Sequence, residues 1–433
     1  MESDTDVALP RGSGVHYPQR SLIRPAQHVG IQLTTTLVRL VALLTVPLGL
    51  GACESEDVQP AAVDATPDIA DSESADVQPE VVEEPPVIPY SDPSQAGPWP
   101  VGIRTFSFVD PQTGTPRAVE VWYPAKEKAA AMGGYRLFEI EVPANGYRDV
   151  AQDPKAPNLL VGFSHGYGGM RWQNYSMCER LASFGFVVVA SDNPGTTFQE
   201  ILDTYGKATT VLLPRPGDLI EILDAALDGT FTGIVPRGKQ FALVGHSLGS
   251  LTLMANGGGV LTKEQYDSGC EEGNYGGCGL MGPWGDDMPL DSTAVVKKDP
   301  RIVTMVLQAL TGTYAFEPES LKAWPKSLIL SGDRDLGAPK EGATAAFGLA
   351  GPGTAMAVLA NAGHNAPTDI CNIPGAKLMG PDCQWEKNGF AEPTGIRVVA
   401  TTTTLAWLAT HFGGQPKFAD HLQSRTGLTW QEK

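Results

Sequence analysis

Apolar and polar positions along the chain fall into two regimes. Up to about residue 96, apolar side chains are either packed into one run, Leu40 to Gly51, or scattered singly among Pro, Asp and Glu. From Gly97 onward they gather into short dense segments separated by turn formers. Ile103 to Val109 and Ala118 to Tyr123, with Pro111-Gln112-Thr113-Gly114 between them, predict an antiparallel strand pair. Asn158 to Ser164, Phe186 to Ala190, Phe241 to Gly245, Ile302 to Leu307, Ser327 to Leu330 and Ala357 to Leu359 are short apolar runs, as buried strands require. Trp172 to Phe184, the stripe Leu219, Ile222, Leu223, Ala226 and Leu227, then Leu248 to Asn256 and Ile396 to Phe412 read as helices, the last stopped by Gly413-Gly414. Strands alternating with helices predict an α/β fold with a mostly parallel, doubly covered sheet and antiparallel strands at its start. The Gly- and Asp-rich excursion 256–300 is expected over the carboxyl ends of the strands, as a lid-like insert or pocket wall, because ligands sit at that edge.

Composition changes this picture mainly at the amino terminus. A chain of 433 residues, 42% hydrophobic and 18% charged, is ample for one large domain with something extra. Its net charge is −18, and twelve acidic side chains with no Lys or Arg lie between Glu54 and Asp92. Nothing basic clusters, so nucleic acid is excluded as a partner. Arg20, Arg24 and Arg39 precede the apolar run, which at about a dozen residues is shorter than the ~20 a spanning helix needs and reads as an export signal. Leu50-Gly51-Ala52-Cys53 resembles the lipobox of bacterial lipoprotein signals, which implies a signal peptide over 1–52 and lipidation of Cys53. Residues 53–96 repeat Asp57-Val58-Gln59-Pro60 as Asp76-Val77-Gln78-Pro79 and cannot bury enough apolar surface to fold. They are expected to be an acidic tether joining a lipid anchor in the bacterial cell envelope to a domain over 97–433.

Cysteine usage agrees with export. Cys53 aside, the spacing suggests disulfides Cys270 with Cys278 and Cys371 with Cys383, leaving Cys178 as a buried thiol in a helix. A zinc site is the rival reading, but no Cys-x-x-Cys pair or suitably placed histidine supports it, so no metal is expected.

The chemistry centres on Gly245-His246-Ser247-Leu248-Gly249, where an apolar strand runs into a helix. A serine in so sharp a turn needs small residues two positions either side, and its hydroxyl then stands clear of the sheet. A serine hydroxyl needs a base that works near neutral pH, which means histidine. Of the seven histidines, His16 and His28 lie in the presequence and His411 and His421 on or beyond the last helix. His246 adjoins the serine and points elsewhere on the turn, and His165 belongs to a glycine-rich loop. His364, on the loop after the last apolar strand, is the expected base. Its carboxylate partner should follow the strand ending at Leu330, where Asp335 is preferred over Asp333. Two N–H donors are needed for a tetrahedral intermediate; Leu248, next to the nucleophile, and Tyr167, in His165-Gly166-Tyr167-Gly168-Gly169, are the candidates. No Lys-Ser/Thr follows that loop, which argues against a nucleotide-binding turn.

Together Gly97-Pro98-Trp99-Pro100-Val101-Gly102, Val121-Trp122-Tyr123-Pro124, Ser164-His165-Gly166, the serine pentapeptide, Asp335 with Ala338-Pro339, and Gly363-His364 resemble the predicted dienelactone hydrolase and platelet-activating-factor acetylhydrolase-like branch of α/β-hydrolases. They are also similar to bacterial cutinases and polyester hydrolases. The resemblance implies an α/β-hydrolase fold over about Gly97 to Phe412 and hydrolysis of a small or lipid-like carboxylic ester through an acyl-enzyme, without cofactor. Dienelactone hydrolases proper use cysteine where this chain has Ser247, so their substrate is not carried over. A serine peptidase or amidase would need the same machinery, and a catalytically silent binding lipoprotein is the reading from another class.

Overall fold

Alternation along the strands makes the dense apolar runs the centre of the molecule. In the computed structural model, which describes residues 86–111, 113–201, 212–271, 282–286 and 288–433, the strand Phe241–His246 sends Phe241 and Leu243 to one side and Ala242 and Val244 to the other. All four are fully buried, so both faces of this strand are core.

Twelve strands occur among the described residues: β1 (Val101–Val109), β2 (Pro116–Pro124), β3 (Gly134–Leu137), β4 (Ile140–Pro143), β5 (Tyr147–Arg148), β6 (Leu159–Ser164), β7 (Phe186–Ser191), β8 (Phe241–His246), β9 (Ile302–Gln308), β10 (Lys326–Gly332), β11 (Thr354–Leu359) and β12 (Leu428–Glu432). Ten of them form one sheet in the order β12-β11-β10-β9-β8-β6-β7-β2-β1-β5, and β3 and β4 form a separate hairpin. From β7 through β11 the neighbours are parallel, while β1, β2 and β12 join antiparallel at the flanks. Parallel pairing brings the carboxyl ends of β6, β8, β9, β10 and β11 to one edge.

Helices cover both faces. On one side α1 (Tyr175–Ser183) contributes Met177, Cys178 and Leu181, and α6 (Pro393–His411) contributes Leu405, Trp407 and Leu408. On the other lie α2 (Pro214–Leu227) and α3 (Leu248–Asn256), with α5 (Lys340–Leu349) adding Ala343 and Ala346. The excursion after α3 holds α4 (Lys263–Glu271), whose Tyr266 packs against Trp284 and Tyr314 at ring separations of 5.6 and 6.3 Å. It is joined to the segment after β9 by a bridge between Leu261 and Phe316.

The folded part starts earlier than the expected Gly97. Ile88 is fully buried and donates its N–H to Gly413 O at 2.9 Å, and Tyr90 packs on Phe418 at 5.0 Å. A lone isoleucine among prolines and acids carries no periodic signal, so its docking could not be read from the pattern. The expected signal peptide, the lipidation site Cys53 and the tether up to residue 85 lie outside the described residues. No helix among the described residues is long and apolar enough to cross a membrane. Cys371 and Cys383 form a disulfide, and Cys178 is a free, buried thiol. The expected Cys270–Cys278 pair includes Cys278, which lies outside the described residues.

Candidate active site

The turn between β8 and α3 puts Ser247 at φ 56° and ψ −118°, a conformation that L-residues hold only when their surroundings impose it. The turn around it has room only for glycine two positions either side. A β-carbon on Gly245 would lie 2.6 Å from the backbone of Gly249, and one on Gly249 would lie 2.0 Å from Ser164 O. Ser247 N–H donates to Gln308 O at 2.9 Å, which ties the turn to the end of β9.

Two further loops reach the hydroxyl from the same sheet edge. His364, five residues after the end of β11, has Nε2 3.0 Å from Ser247 Oγ. Its Nδ1 is 3.0 Å from both oxygens of Asp335, which follows β10. A carboxylate accepts only, so Nδ1 carries the hydrogen and Nε2 offers its lone pair to the serine. The Asp335 carboxylate is buried and also accepts the N–H groups of Gly337 and Ala338 at 2.8 and 2.7 Å. Asp333 is exposed and stands outside this relay. Burial pulls the His364 imidazolium down, but the charge and hydrogen bonds of Asp335, helped by the charge of Asp382, outweigh it and leave the pKa above the ordinary 6.5.

The candidate N–H donors lie beside the serine. Leu248 is the first residue of α3, so its N–H has no acceptor within the helix. The loop carrying Tyr167 closes on the turn from the end of β6: a β-carbon on Gly166 would lie 3.1 Å from Ser247 Cβ. Gly168 takes φ +71°, and Gly169 N–H returns to Gly166 O at 3.1 Å. A carbonyl held against Ser247 would thus meet a hydroxyl, an imidazole and the first N–H of α3.

The other two histidines of the domain's centre have their nitrogens occupied. His165 Nδ1 donates to Gly166 O at 2.7 Å and Nε2 accepts from Asn193 N–H at 3.0 Å; burial, then the nearby Arg215 charge, push its pKa down to about 3. His246 does not simply point away, as its place in the turn suggests. Its ring lies 5.0 Å from that of His364, and its Nε2 is 2.9 Å from His364 O.

Several polar residues that build this edge were not singled out in the sequence. Arg215 of α2 is buried and bonds Ser164 Oγ at 2.9 Å, Thr252 Oγ1 at 3.1 Å, Thr196 Oγ1 and His165 O. Asp382, brought in next to the disulfide, accepts Asn365 N–H at 2.5 Å beside the base. Gln308, fully buried, ends β9, which is apolar apart from it and Thr304. A polar side chain closing an apolar strand is the signal that could have found it, since a buried amide needs partners. A cavity of about 460 Å³ lies between α5 and the segment after β9, lined by Leu310, Tyr314, Phe316, Ala338 and Leu349, with Gln265 of α4 on its wall. Ser247 and His364 are not among its described lining residues.

No protein-family model matches the chain, and no curated protein matches it. Among solved structures it is similar to a ferulic acid esterase from Streptomyces cinnamoneus, at 20% identity and a TM-score of 0.52 over 77% of this chain and 96% of that one. The likeness is one of architecture, and the chain has the α/β-hydrolase fold.

Proposed function

We propose that the protein is a serine hydrolase that cleaves carboxylic esters through an acyl-enzyme. The observation that carries this is the unbroken relay from Ser247 Oγ through His364 to Asp335, with 3.0 Å at each junction. In this reading His364 Nε2 takes the hydroxyl proton as Ser247 Oγ bonds to the ester carbon, and Asp335 stabilises the imidazolium that forms. The N–H groups of Tyr167 and Leu248 receive the charge that develops on the carbonyl oxygen. Collapse expels the alcohol with the proton from His364, and water then attacks the acyl group by the same route in reverse. None of these steps calls on a metal or cofactor. The ferulic acid esterase that shares the fold makes an ester the first substrate class to test.

Ser247→Ala should abolish turnover of p-nitrophenyl acetate and butyrate, and a fluorophosphonate probe should label the native protein and not this variant. Undiminished activity in the variant would end the proposal. We further propose that Cys53 is lipidated and holds the domain at the cell envelope through its acidic leash, supported by the lipobox-like Leu50-Gly51-Ala52-Cys53. Cys53→Ala should move the protein from the membrane fraction to the soluble one, whereas a distribution unchanged from that of the native chain would rule the anchor out.

A further inference from the structure

Gln173, two residues ahead of α1, is 2% exposed and makes three side-chain hydrogen bonds. Its Oε1 accepts Gly166 N–H at 3.2 Å, at the start of the loop that carries Tyr167. That backbone donor settles which way the amide faces, since a turned amide would set N–H against N–H. Its Nε2 therefore points at His246 Nδ1, 2.9 Å away, and at Asn174 Oδ1, 3.2 Å away. An amide nitrogen only donates, so Nδ1 of His246 holds a lone pair and the ring hydrogen is on Nε2, aimed at His364 O at 2.9 Å. The loop folds directly over this amide: a β-carbon on Gly169 would lie 2.1 Å from Gln173 Oε1. The neighbouring Asn174 extends the same hub, with Nδ2 3.1 Å from Gln308 Oε1 and 3.4 Å from Pro367 O on the loop after His364. Gln308 O in turn accepts Ser247 N–H.

We infer that Gln173 is a positioning residue that holds the oxyanion loop and the base His364 in register, acting on the latter through a neutral, Nε2-protonated His246. The inference rests on the serine-hydrolase reading above and deepens it. Oxyanion loop and base come from strands far apart in sequence, and a misplacement of about 1 Å between such groups can cost on the order of 100-fold in rate. One amide meets both sides, accepting from Gly166 and donating to His246. Neutrality of the ring is part of the arrangement, since a proton on Nδ1 would oppose the amide donor. The titratable groups that act on the ring are His364, Asp335 and His165, and burial pushes its pKa down to about 3.

Two measurements test this on the full chain. Gln173→Met keeps the length and apolar bulk of the side chain but neither accepts from Gly166 nor donates to His246. In a folded Gln173→Met protein kcat for p-nitrophenyl butyrate should fall roughly 10- to 100-fold while KM stays within about threefold, because register matters most at the transition state. In the unaltered protein, labelled with ¹⁵N-histidine and assigned by the resonances lost in His246→Asn, His246 should show an unprotonated Nδ1 and a protonated Nε2 throughout about pH 5 to 8. A folded Gln173→Met protein with kcat within about twofold of wild type, or a His246 that titrates in that range or carries its hydrogen on Nδ1, overturns the inference. If the variant does not fold, the spectrum of the unaltered protein decides. An inert wild type removes the hydrolase reading and the inference with it, whereas an active wild type with an indifferent Gln173→Met removes the inference alone.

Discussion

His364 shows how much of a residue's chemistry lies in neighbours distant along the chain. Its place after an apolar strand marks it as candidate base, and of the two acids that follow β10 Asp335 is buried against it while Asp333 is exposed. The contribution of Asp382 had no sequence signal, because it reaches the base by way of a loop held by Cys371–Cys383. Burial alone would lower the pKa of His364, yet Asp335 and then Asp382 leave it raised. The base must be neutral to accept the serine proton, so activity should rise with pH along a limb centred above 6.5. Asp382→Asn removes one negative charge that favours the imidazolium, so the pKa should fall and the limb move to lower pH. Profiles of kcat/KM for the two proteins check this, and an acid limb at the same pH in both would remove Asp382 from the account. Arg215 is the opposite case, a buried cation whose pKa burial lowers to about 9 and which hydrogen-bonds three hydroxyls and a carbonyl.

At the scale of elements, the turn between β8 and α3 was legible because part of its constraint is local. At Gly245 the obstruction lies within five residues, the backbone of Gly249, whereas at Gly249 it is Ser164 O on the neighbouring β6, so the local pattern carries half of the constraint. Gly249→Ala should lower the unfolding free energy by about 1–3 kcal/mol, toward the upper end because the obstructing atom is the backbone oxygen of Ser164. Denaturant titration measures it, and an unchanged midpoint would show that the turn relaxes at no cost. The elements missed were those whose stability is not local. In α5 only Ala343 and Ala346 are buried, so Lys340–Leu349 lacks the apolar stripe that marks a helix in sequence. The strand β12 is short and mostly polar, and it is a strand because β11 offers it an antiparallel edge.

Considered as a whole molecule, the domain is a sheet covered on both faces, with its candidate chemistry at one edge and its amino-terminal segment docked from Ile88. A chain starting at Gly97 should be less stable than one starting at Pro86 by about 2 kcal/mol or more, because the first leaves the site of the buried Ile88 and of Tyr90 empty. Equal stability in paired urea titrations would return the boundary to Gly97. The sequence by itself determined the alternation of strands and helices, the sharp turn at Ser247 and the chain order of serine, acid and histidine, since hydrophobic period and local sterics are written within a few residues. Only the tertiary structure decided which carboxylates face His364, that His246 bonds the carbonyl of His364, and that Gln173 joins it to the loop at Gly166. Those contacts span 73 positions from Gln173 to His246 and 118 from His246 to His364, and hydrogen bonds at such separations leave no pattern in the order of residues.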